Sequence, residues 1–510
     1  MKSFFFALLA FSVSCSQGPL GKKTEGIKLT ILHTNDHHGR FWSNKDGEYG
    51  LAARATLIAQ IREEVKKNGG EVLLLDAGDV NTGVPQSDLL NAEPDFKGMS
   101  ALGYDAMALG NHEFDNPLKV LFKQQKDWAN FPFISANIYD KKNNRLFPSH
   151  VTKKVNGLNV TIFGLTTEDT PKKSNPDNSK GLYFRPAVEE AKAIVPVLRP
   201  TSDILIALTH TGHYPDEKNG ADAPGDVTIA RQAKGIDIIV GGHTQKPLFK
   251  PDIQNGTIIV QAYEWGKYVG RIDLEVINKK VILKDYKLVP VNLKEDKTRI
   301  LPDQKVEAML RPFKEKGDKS LSQKIGFVDQ ELMGRRDVVR TKETNLGNLI
   351  TRAYKDKFGA DFAITNSGGI RDSIYPGDIT IETILMVLPF GGEIVTAELT
   401  GKELKNYLEA ITSTLLPGSG SFPQMSGATI VLDQATKKMK SLKINGKDVE
   451  EKRTYLIALP DFIAKGGDNY PIISFRKYGY IDADVLKAYI VKKKKLKAET
   501  FEVTQYIKFE

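Results

Sequence analysis

Five short polar windows, each following an apolar segment, constrain this sequence more than any other feature. Four of them hold seven of the eight histidines, with His150 outside, and the fifth is rich in carboxylates. The windows are residues 33–39, 76–81, 110–115, 209–213 and 241–245, and the apolar segments are 27–32, 72–75, 105–109, 203–208 and 236–240. Short apolar runs of this kind predict buried strands. Each window is therefore expected at the carboxyl end of a strand, the edge where open α/β sheets bind ligands.

Amphipathic segments alternate with these strands, which predicts an α/β domain over residues 27–302. The predicted helices are 52–67, 117–128 and 187–198, and a further strand is predicted at 160–165. A solvent-exposed helix within residues 303–325 is expected to lead to a second α/β domain, residues 326–510. Helices at 345–358 and 401–411 and strands at 362–365 and 455–459 are predicted there. A chain of 510 residues is too long for a single core, in agreement with two domains.

The residue types in the windows suit hydrolysis of a phosphate ester. That reaction needs a nucleophile at neutral pH and neutralisation of oxygens that already carry negative charge. Two divalent metals roughly 3.5–4 Å apart meet both needs, by acidifying a bridging water and by clamping the phosphoryl oxygens. Imidazole and carboxylate ligands do not select one metal among Zn, Mn, Co and Mg. A carboxylate at a rigid strand end, such as Asp79, can be shared by both metals.

Each window taken alone has a simpler interpretation. An isolated Asn-His-Glu or Gly-Gly-His is usually a turn, and an isolated histidine is usually a hydrogen-bonded structural residue. Five windows in this order, each after a predicted strand, instead indicate a metal site.

The amino terminus has the pattern of a secretory signal. A basic start precedes an apolar run at 4–13, which is too short to span a bilayer. The single cysteine, Cys15, ends a Ser-Val-Ser-Cys segment that resembles a bacterial lipobox. Residues 1–15 are thus interpreted as signal peptide and lipobox and 16–26 as a tether, with ordinary signal cleavage as the alternative. We expect an exported protein, periplasmic or membrane-anchored through a lipid on Cys15, with no disulfide.

The order of the windows resembles that of the calcineurin-like metallophosphatases, and within them the bacterial 5'-nucleotidase/UDP-sugar hydrolase family. The motifs are Asp-x-His, Gly-Asp, Gly-Asn-His-Glu, Thr-His and Gly-Gly-His, and the similarity covers essentially all of the mature chain. The resemblance implies two divalent metals and seven ligands, with Asp79 shared. The ligands are Asp36, His38, Asp79 and Gln245 for one metal and Asp79, Asn111, His210 and His243 for the other.

The resemblance also implies a catalytic pair outside the ligand set. His112, oriented by Asp115, is expected to stabilise the transferring phosphoryl group and the leaving oxygen, because a carboxylate sustains a protonated imidazole beside developing negative charge. His37 and His213 are expected to have supporting or structural roles.

The second domain is implied to bind the nucleotide. Arginines are expected to bind its phosphates, two aromatic rings to sandwich the base, and an acid to accept from the ribose hydroxyls. The arginines are Arg336, Arg340 and Arg371. The aromatic rings are those of Phe390 and Phe462, and the acid is Asp468. Asn366, in the same motif as Arg371, is also assigned to substrate binding.

Some positions depart from the bacterial pattern. Arg40 stands where the bacterial enzymes have His and animal ecto-5'-nucleotidases have Arg, and it is expected to add a phosphate contact. Gly392 replaces an Asn that touches the base, so the base preference stays open. The paired cysteines of the bacterial enzyme are absent.

The implied fold is an α/β/β/α metallophosphatase sandwich joined by a helix to a second, smaller α/β domain, with rotation between the two during the reaction. The predicted function is removal of phosphate from nucleoside 5'-phosphates, extending to UDP-sugars and nucleoside di- and triphosphates. The alternatives are a 2',3'-cyclic-nucleotide phosphodiesterase/3'-nucleotidase, a dinucleotide pyrophosphatase and a non-enzymatic nucleotide-binding surface lipoprotein. The expected partner is a nucleotide and not nucleic acid, and the expected state is a monomer. The net charge of +9 fits any anionic partner.

Overall fold

The computed structural model of the chain describes residues 26–509 except 175–177, 221, 298, 414–417, 437 and 504–506. The predicted signal segment, residues 1–15, lies outside the described residues, as does the predicted tether, residues 16–26, except for its last residue. In the described part of the chain, no helix has both the length and the apolar character needed to cross a bilayer.

Two six-stranded sheets are built from the described residues of the first domain, and each contains four parallel strands. In the first sheet an antiparallel pair of strands extends one side of these four, and in the second sheet one antiparallel strand lies at each edge. The order of the first sheet is Lys280–Pro290, Tyr268–Ile277, Ile27–Thr34, Glu71–Asp76, Ala106–Ala108 and Phe133–Ile134. The order of the second is Asp252–Gln254, Thr257–Gln261, Ile238–Gly241, Ile204–His210, Leu158–Thr166 and His150–Val155. A small ribbon pairs Ile138–Tyr139 with Tyr183–Phe184.

The two sheets pack face to face, and helices cover their outer faces. Successive side chains of a strand alternate between faces, so Ile31 and Leu73 join the core between the sheets while Leu32 and Leu74 join the core under the helices. Burial on both faces explains why these strands are nearly continuous apolar runs. The helices are Leu51–Lys67, Pro85–Asp88, Glu93–Leu102, Leu118–Lys123, Thr170–Lys173, Ala187–Leu198 and Asp226–Gln232. The predicted α/β/β/α sandwich is thereby confirmed.

The helix predicted over residues 117–128 changes its winding partway along. An α-helix covers Leu118–Lys123, and a π-helical turn follows at Gln124–Trp128. Gln124 is buried there, and its amide donates to Asn81 Oδ1 at 2.6 Å and to the Asn91 carbonyl at 2.9 Å. The wider turn aims this polar side chain into the domain, where it braces the loop that follows Asp79.

The connecting helix, Gln304–Leu321, lies within the predicted linker, residues 303–325, and one of its faces is partly buried. Val306 and Leu310 are buried and belong to the same core as Phe96 and Met99 of the first domain. Most of the helix is exposed or half-buried, and one apolar stripe packs against that domain while the remaining face is charged. The Asp303 carboxylate caps the amino end by accepting from the backbone of Val306.

The second domain has three sheets among the described residues, organised around two further cores. The largest has the order Pro423–Ser426, Phe362–Asn366, Thr454–Pro460, Glu393–Thr400 and Arg476–Ile481. A three-stranded sheet has the order Gly377–Thr380, Lys324–Val328 and Lys495–Leu496. A four-stranded sheet has the order Lys447–Asp448, Met439–Ile444, Ala428–Leu432 and Ile507–Phe509. The helices are Arg336–Val339, Asn345–Phe358, Ile381–Val387, Gly401–Ser413, Asp461–Ala464 and Asp482–Lys493.

The five polar windows follow strands of two sheets and not of one. The strands ending at Thr34, Asp76 and Ala108 belong to the first sheet, and those ending at His210 and Gly241 belong to the second. Because the sheets are stacked, their carboxyl edges meet at one end of the sandwich. The windows therefore converge across the gap between two layers.

His33 lies in the first window but is buried away from the convergence point. Its ring stacks on Tyr286 at 6.2 Å and lies over Gly270, where a Cβ atom would be 2.0 Å from Nε2. Neither ring nitrogen has a hydrogen-bond partner among the described residues, and burial lowers the pKa of His33 to about 3.

This burial predicts a pH-dependent stability. The unfolded chain takes up a proton at His33 below about pH 6.5, whereas the folded chain does so only near pH 3. The contribution of neutral His33 to the free energy of unfolding is therefore complete above pH 6.5 and is lost as the pH falls towards 3. We expect His33→Phe to reduce the slope of the unfolding free energy over this range by up to about 1.4 kcal/mol per pH unit. The slope is measured by urea unfolding of the wild-type and His33→Phe proteins at several pH values, with EDTA present to remove metal. Equal slopes for the two proteins would contradict the lowered pKa of His33.

Candidate active site

Two groups of possible metal-ligating side chains share the carboxylate of Asp79. The groups are His38, Asp79 and His112, and Asp79, His210 and His243, and within each the ligand atoms lie within 4.8 Å of one another. His210 Nε2 is 2.9 Å and His38 Nε2 is 3.9 Å from Asp79 Oδ2. One carboxylate is thus positioned to face two cations.

The remaining predicted ligands border the same groups. Asp36 Oδ1 lies 3.8 Å from His38 Nε2, and Asn111 Oδ1 lies 2.9 Å from His243 Nδ1. The Gln245 amide nitrogen lies 2.6 Å from His38 Nε2, and rotation of the amide group exchanges its nitrogen and oxygen. All seven predicted ligands are therefore brought together.

Backbone carbonyls orient two of the rings. His38 Nδ1 donates to the Thr82 carbonyl at 2.8 Å, and His210 Nδ1 donates to the Ala77 carbonyl at 2.7 Å. In the neutral imidazole, each bond selects the tautomer whose Nε2 is free to bind a metal.

Five of the seven predicted ligands have left-handed backbone conformations, which non-glycine residues seldom adopt. Their φ angles are 52° for Asp36, 50° for His38, 61° for Asp79, 80° for His243 and 51° for Gln245. Bonds between the first two windows hold this geometry, because Asp36 N–H donates to the Gly78 carbonyl and His38 N–H to the Asp79 carbonyl. Strain of this kind is typical of functional sites.

The donor set fits divalent cations. Asp36 Oδ1 is buried and has no hydrogen-bond partner among the described residues, an arrangement that costs free energy unless a cation satisfies it. Against the effect of burial, His38 and His210 lower the pKa of Asp36, and His210 and His112 lower that of Asp79. Both carboxylates are therefore ionised at neutral pH.

The histidines of this cluster differ in their proton affinity. Despite burial, Asp79 raises the pKa of His210 to about 10, whereas burial and His210 lower the pKa of His243 to about 4. A cation that binds His210 Nε2 must displace its proton, so metal affinity is linked to pH.

His112 and Asp115 form the predicted pair. His112 Nδ1 lies 2.6 Å from Asp115 Oδ2, and Nε2 lies 4.0 Å from Asp79 Oδ2. Although burial opposes it, Asp115 and Asp79 raise the pKa of His112 above its ordinary value. The ring of Phe390, from the second domain, stacks on His112 at 5.6 Å.

Glu113 supports the site, a role that we did not assign from the sequence. Its buried carboxylate accepts from the backbone N–H groups of Asp79 at 2.9 Å, Val80 at 2.8 Å and Gly110 at 2.7 Å. It thereby ties the second window to the third. The sequence placed Glu113 inside a window, but only the fold shows which N–H groups surround it.

The other two window histidines contact carboxylates outside the ligand cluster. His37 Nε2 lies 2.9 Å from Asp95 Oδ1, and His213 Nε2 lies 2.9 Å from Asp252 Oδ2. These contacts fix loops around the cluster.

A cavity between the domains joins the candidate metal ligands to the predicted substrate residues. Its lining includes Asp79, Asn111, His112, Asp115, His243 and Gln245 from the first domain. From the second domain it includes Arg336, Arg340, Asn366, Arg371, Phe390, Phe462 and Asp468. Of the predicted substrate residues, Arg40 does not line the cavity: its guanidinium donates to the His38 carbonyl at 2.9 Å and lies 4.4 Å from the centre of the Trp265 ring.

Three arginines of the second domain line the cavity without a carboxylate partner among the described residues. No described carboxylate lies within 4.0 Å of the guanidinium groups of Arg336, Arg340 or Arg371. Burial and the neighbouring arginines lower the pKa of Arg340. Arg371 lies 5.5 Å from the ring centre of Phe390. Positive charge that lacks a carboxylate partner in a cavity favours a phosphate ligand.

Contacts across the cavity hold the domains together. The Arg336 guanidinium donates to the Gln245 amide oxygen. Lys173 Nζ lies 2.9 Å from Asp222 in its own domain and 3.7 Å from Asp468 in the other. Against burial, Asp468 and Asp222 raise the pKa of Lys173. Lys173 and Asp222 were missed in the sequence because they lie outside the windows and meet only in the folded chain.

Comparison with known proteins gives consistent matches along the chain. Residues 29–247 match the family model described as calcineurin-like phosphoesterase, and residues 324–474 match that of the 5'-nucleotidase C-terminal domain. The chain is 48% identical over 525 residues to the 5'-nucleotidase of Vibrio cholerae, covering 95% of this chain and 94% of that protein. It is 46% identical over 534 residues to Protein UshA of Escherichia coli, covering 97% and 96%. The solved 5'-nucleotidase precursor from Thermus thermophilus is 29% identical, with a TM-score of 0.80 and coverage of 95% and 99%.

Proposed function

Because this chain belongs to the 5'-nucleotidase family, we propose that it releases phosphate from nucleoside 5'-monophosphates with the help of two divalent metal ions. The observation that supports the proposal most is the shared cavity. In it, ligand-type side chains around Asp79 face aromatic rings and arginines that have no carboxylate partner among the described residues. A nucleotide can contact both parts of such a cavity. Its phosphate fits the part lined by the ligand-type side chains, and its base fits the part lined by the aromatic rings.

We propose that Asp36, His38, Asp79 and Gln245 hold one metal and that Asp79, Asn111, His210 and His243 hold the other. When bound, the metals supply an acidified water and charge neutralisation at the phosphoryl oxygens. The buried carboxylates and the oriented imidazoles described above suit this role.

The remaining residues act on the substrate directly. His112, kept protonated by Asp115, donates to an oxygen of the transferring phosphoryl group or to the leaving oxygen as negative charge develops. Arg371, Arg340 and Arg336 bind the phosphates and hold the ester in line with the water. We assign Phe390 and Phe462 to the base, and Asp468, which accepts from Asn366 Nδ2 at 2.6 Å, to the ribose.

We extend the proposal to nucleoside di- and triphosphates and to UDP-sugars. Three guanidinium groups without a carboxylate partner offer more positive charge than one phosphate requires. We also propose export to the cell envelope, with Cys15 as the point of lipid attachment, and a monomeric state.

The test is phosphate release by the purified mature protein, with Mn, Co or Zn and again with EDTA. The substrates are AMP, UMP, ATP, UDP-glucose, 3'-AMP and 2',3'-cyclic AMP. We expect metal-dependent turnover of the 5'-nucleotides and UDP-glucose. EDTA should abolish this turnover, and added metal should restore it. A preference for 3'-AMP or the cyclic nucleotide would assign the chain to the alternative phosphodiesterase function. Binding without turnover under every metal would indicate a nucleotide-binding protein.

A further inference from the structure

Two carboxyl groups meet at the base end of the cavity, beside the aromatic rings. Gly392 follows Phe390 by two residues, and Asp461 directly precedes Phe462. A Cβ atom on Gly392 would lie 3.5 Å from Asp482 Oδ2 and 3.9 Å from Asp461 Oδ1. Because Gly392 has no side chain, nothing at this position separates the two acids from the cavity, which Phe390 and Phe462 also line.

Asp482 has no cationic partner. Its exposed fraction is 7%, and no described lysine or arginine lies within 4.0 Å of its carboxyl group. Its Oδ1 accepts from the Ala483 backbone at 2.6 Å, and the side chain lines the cavity. Asp461 differs, since it lies 2.8 Å from Lys465 and 3.7 Å from Lys477. A buried carboxyl group that faces a cavity without a counter-charge is costly unless a ligand satisfies it.

The chemistry of a carboxylate limits which bases can satisfy it. An ionised carboxylate only accepts hydrogen bonds, and it has two oxygens side by side. Guanine offers two adjacent donors, its N1–H and its N2 amino group. Adenine places the N1 acceptor beside its N6 amino group, and uracil places carbonyl oxygens on both sides of a single N3–H. Hypoxanthine has the N1–H of guanine without the amino group.

We propose that Asp482 determines base specificity by accepting hydrogen bonds from N1–H and N2 of guanine, so that guanine nucleotides are the preferred substrates. This inference rests on the proposed 5'-nucleotidase function. Burial and the nearby Asp461 raise the pKa of Asp482 to about 7, and two donors from the base stabilise its ionised form.

The experiment compares kcat/KM for GMP, IMP, AMP and UMP at pH 8.5, where the carboxyl group is ionised, in the wild-type protein and in Asp482→Asn. We expect the order GMP, IMP, AMP, with roughly tenfold between GMP and AMP, because a bidentate pair gives discrimination of this size. Asparagine offers one acceptor and one donor, which matches adenine. The ratio of GMP to AMP should therefore fall at least about tenfold in Asp482→Asn.

The matched control is Asp484→Asn, which removes the same charge from the first turn of the same helix at an exposed position. It should leave the ratio unchanged. A merely structural role for Asp482 would lower the activity on every base alike and would overturn the proposal, as would equal kcat/KM for all four substrates in the wild-type protein. If Asp482→Asn does not fold, calorimetric binding of guanosine and adenosine to the wild-type protein decides, with tighter guanosine binding expected. The absence of turnover on every nucleotide would instead refute the proposed function, and the nucleoside titration would still test Asp482.

Discussion

Replacing Asp79 with asparagine is expected to lower kcat/KM on a nucleoside 5'-monophosphate by at least about 1,000-fold, the effect of losing several kcal/mol of transition-state stabilisation. Asp79 is the side chain shared by both ligand groups, so a neutral amide weakens both metal sites at once. The amide oxygen can still accept from the His112 backbone N–H, which Asp79 Oδ1 binds at 2.8 Å. The loop that contains Asp79 should therefore keep its conformation, while the number of metal ions bound per chain decreases.

Metal content and thermal unfolding, measured on the same samples, separate these effects. The matched control is Asp76→Asn, at an equally buried acid three residues earlier whose carboxylate accepts from Thr34 Oγ1 and the Gly78 N–H. It should retain both metals and most of the activity. An Asp79→Asn protein with full activity and two metals per chain would rule out the proposed bridging role.

Much of this site follows from the order of residues along the chain. An apolar run that ends in Asp, Asn or His predicts both a strand and the position of that side chain, because parallel strands end at a common edge. The sequence alone places the windows around Asp36, Asp79 and His210 at strand ends in this way. The strand pattern could not show that they come from two stacked sheets, since strand order depends on contacts between distant segments.

Side chains that act through distant contacts were harder to predict. Glu113 gains its role from N–H groups of the second window, and Lys173 from an acid nearly 300 residues away in the sequence. Arg40 was expected at the phosphate, but the local turn directs it towards the His38 carbonyl and Trp265. The linker helix was predicted to be exposed because many of its residues are charged, and its sequence does not show which domain its apolar residues pack against.

The left-handed backbone at the candidate ligands was not visible in the sequence either. Asp36, His38 and Asp79 are held in that conformation by bonds between their loops, so the rest of the domain bears the cost of the strain. In return the oxygen and nitrogen donors are fixed before a metal arrives. Such preorganisation lowers the ordering cost of binding.

Replacing His112 with alanine is expected to lower kcat by about 100- to 10,000-fold, the range for losing a positioned acid that acts on the transition state. KM should change little, because the arginines and the aromatic rings still bind the nucleotide. Asp115→Asn should have a smaller effect in the same direction, since it leaves the imidazole in place but removes the carboxylate 2.6 Å from Nδ1.

The decisive readout for His112 is the metal content, because its Nε2 lies near enough to His38 and Asp79 to serve as a ligand itself. If His112 binds the phosphoryl group, the His112→Ala protein keeps two metals per chain and loses only turnover. If His112 is a metal ligand, the His112→Ala protein loses metal, and excess metal restores part of the activity. Metal analysis of His112→Ala beside Asp79→Asn therefore separates the two roles. We expect two metals per chain in His112→Ala. In the wild-type protein the close partner of the His112 imidazole is the Asp115 carboxylate, and the side chain lines the cavity that we assign to the phosphate.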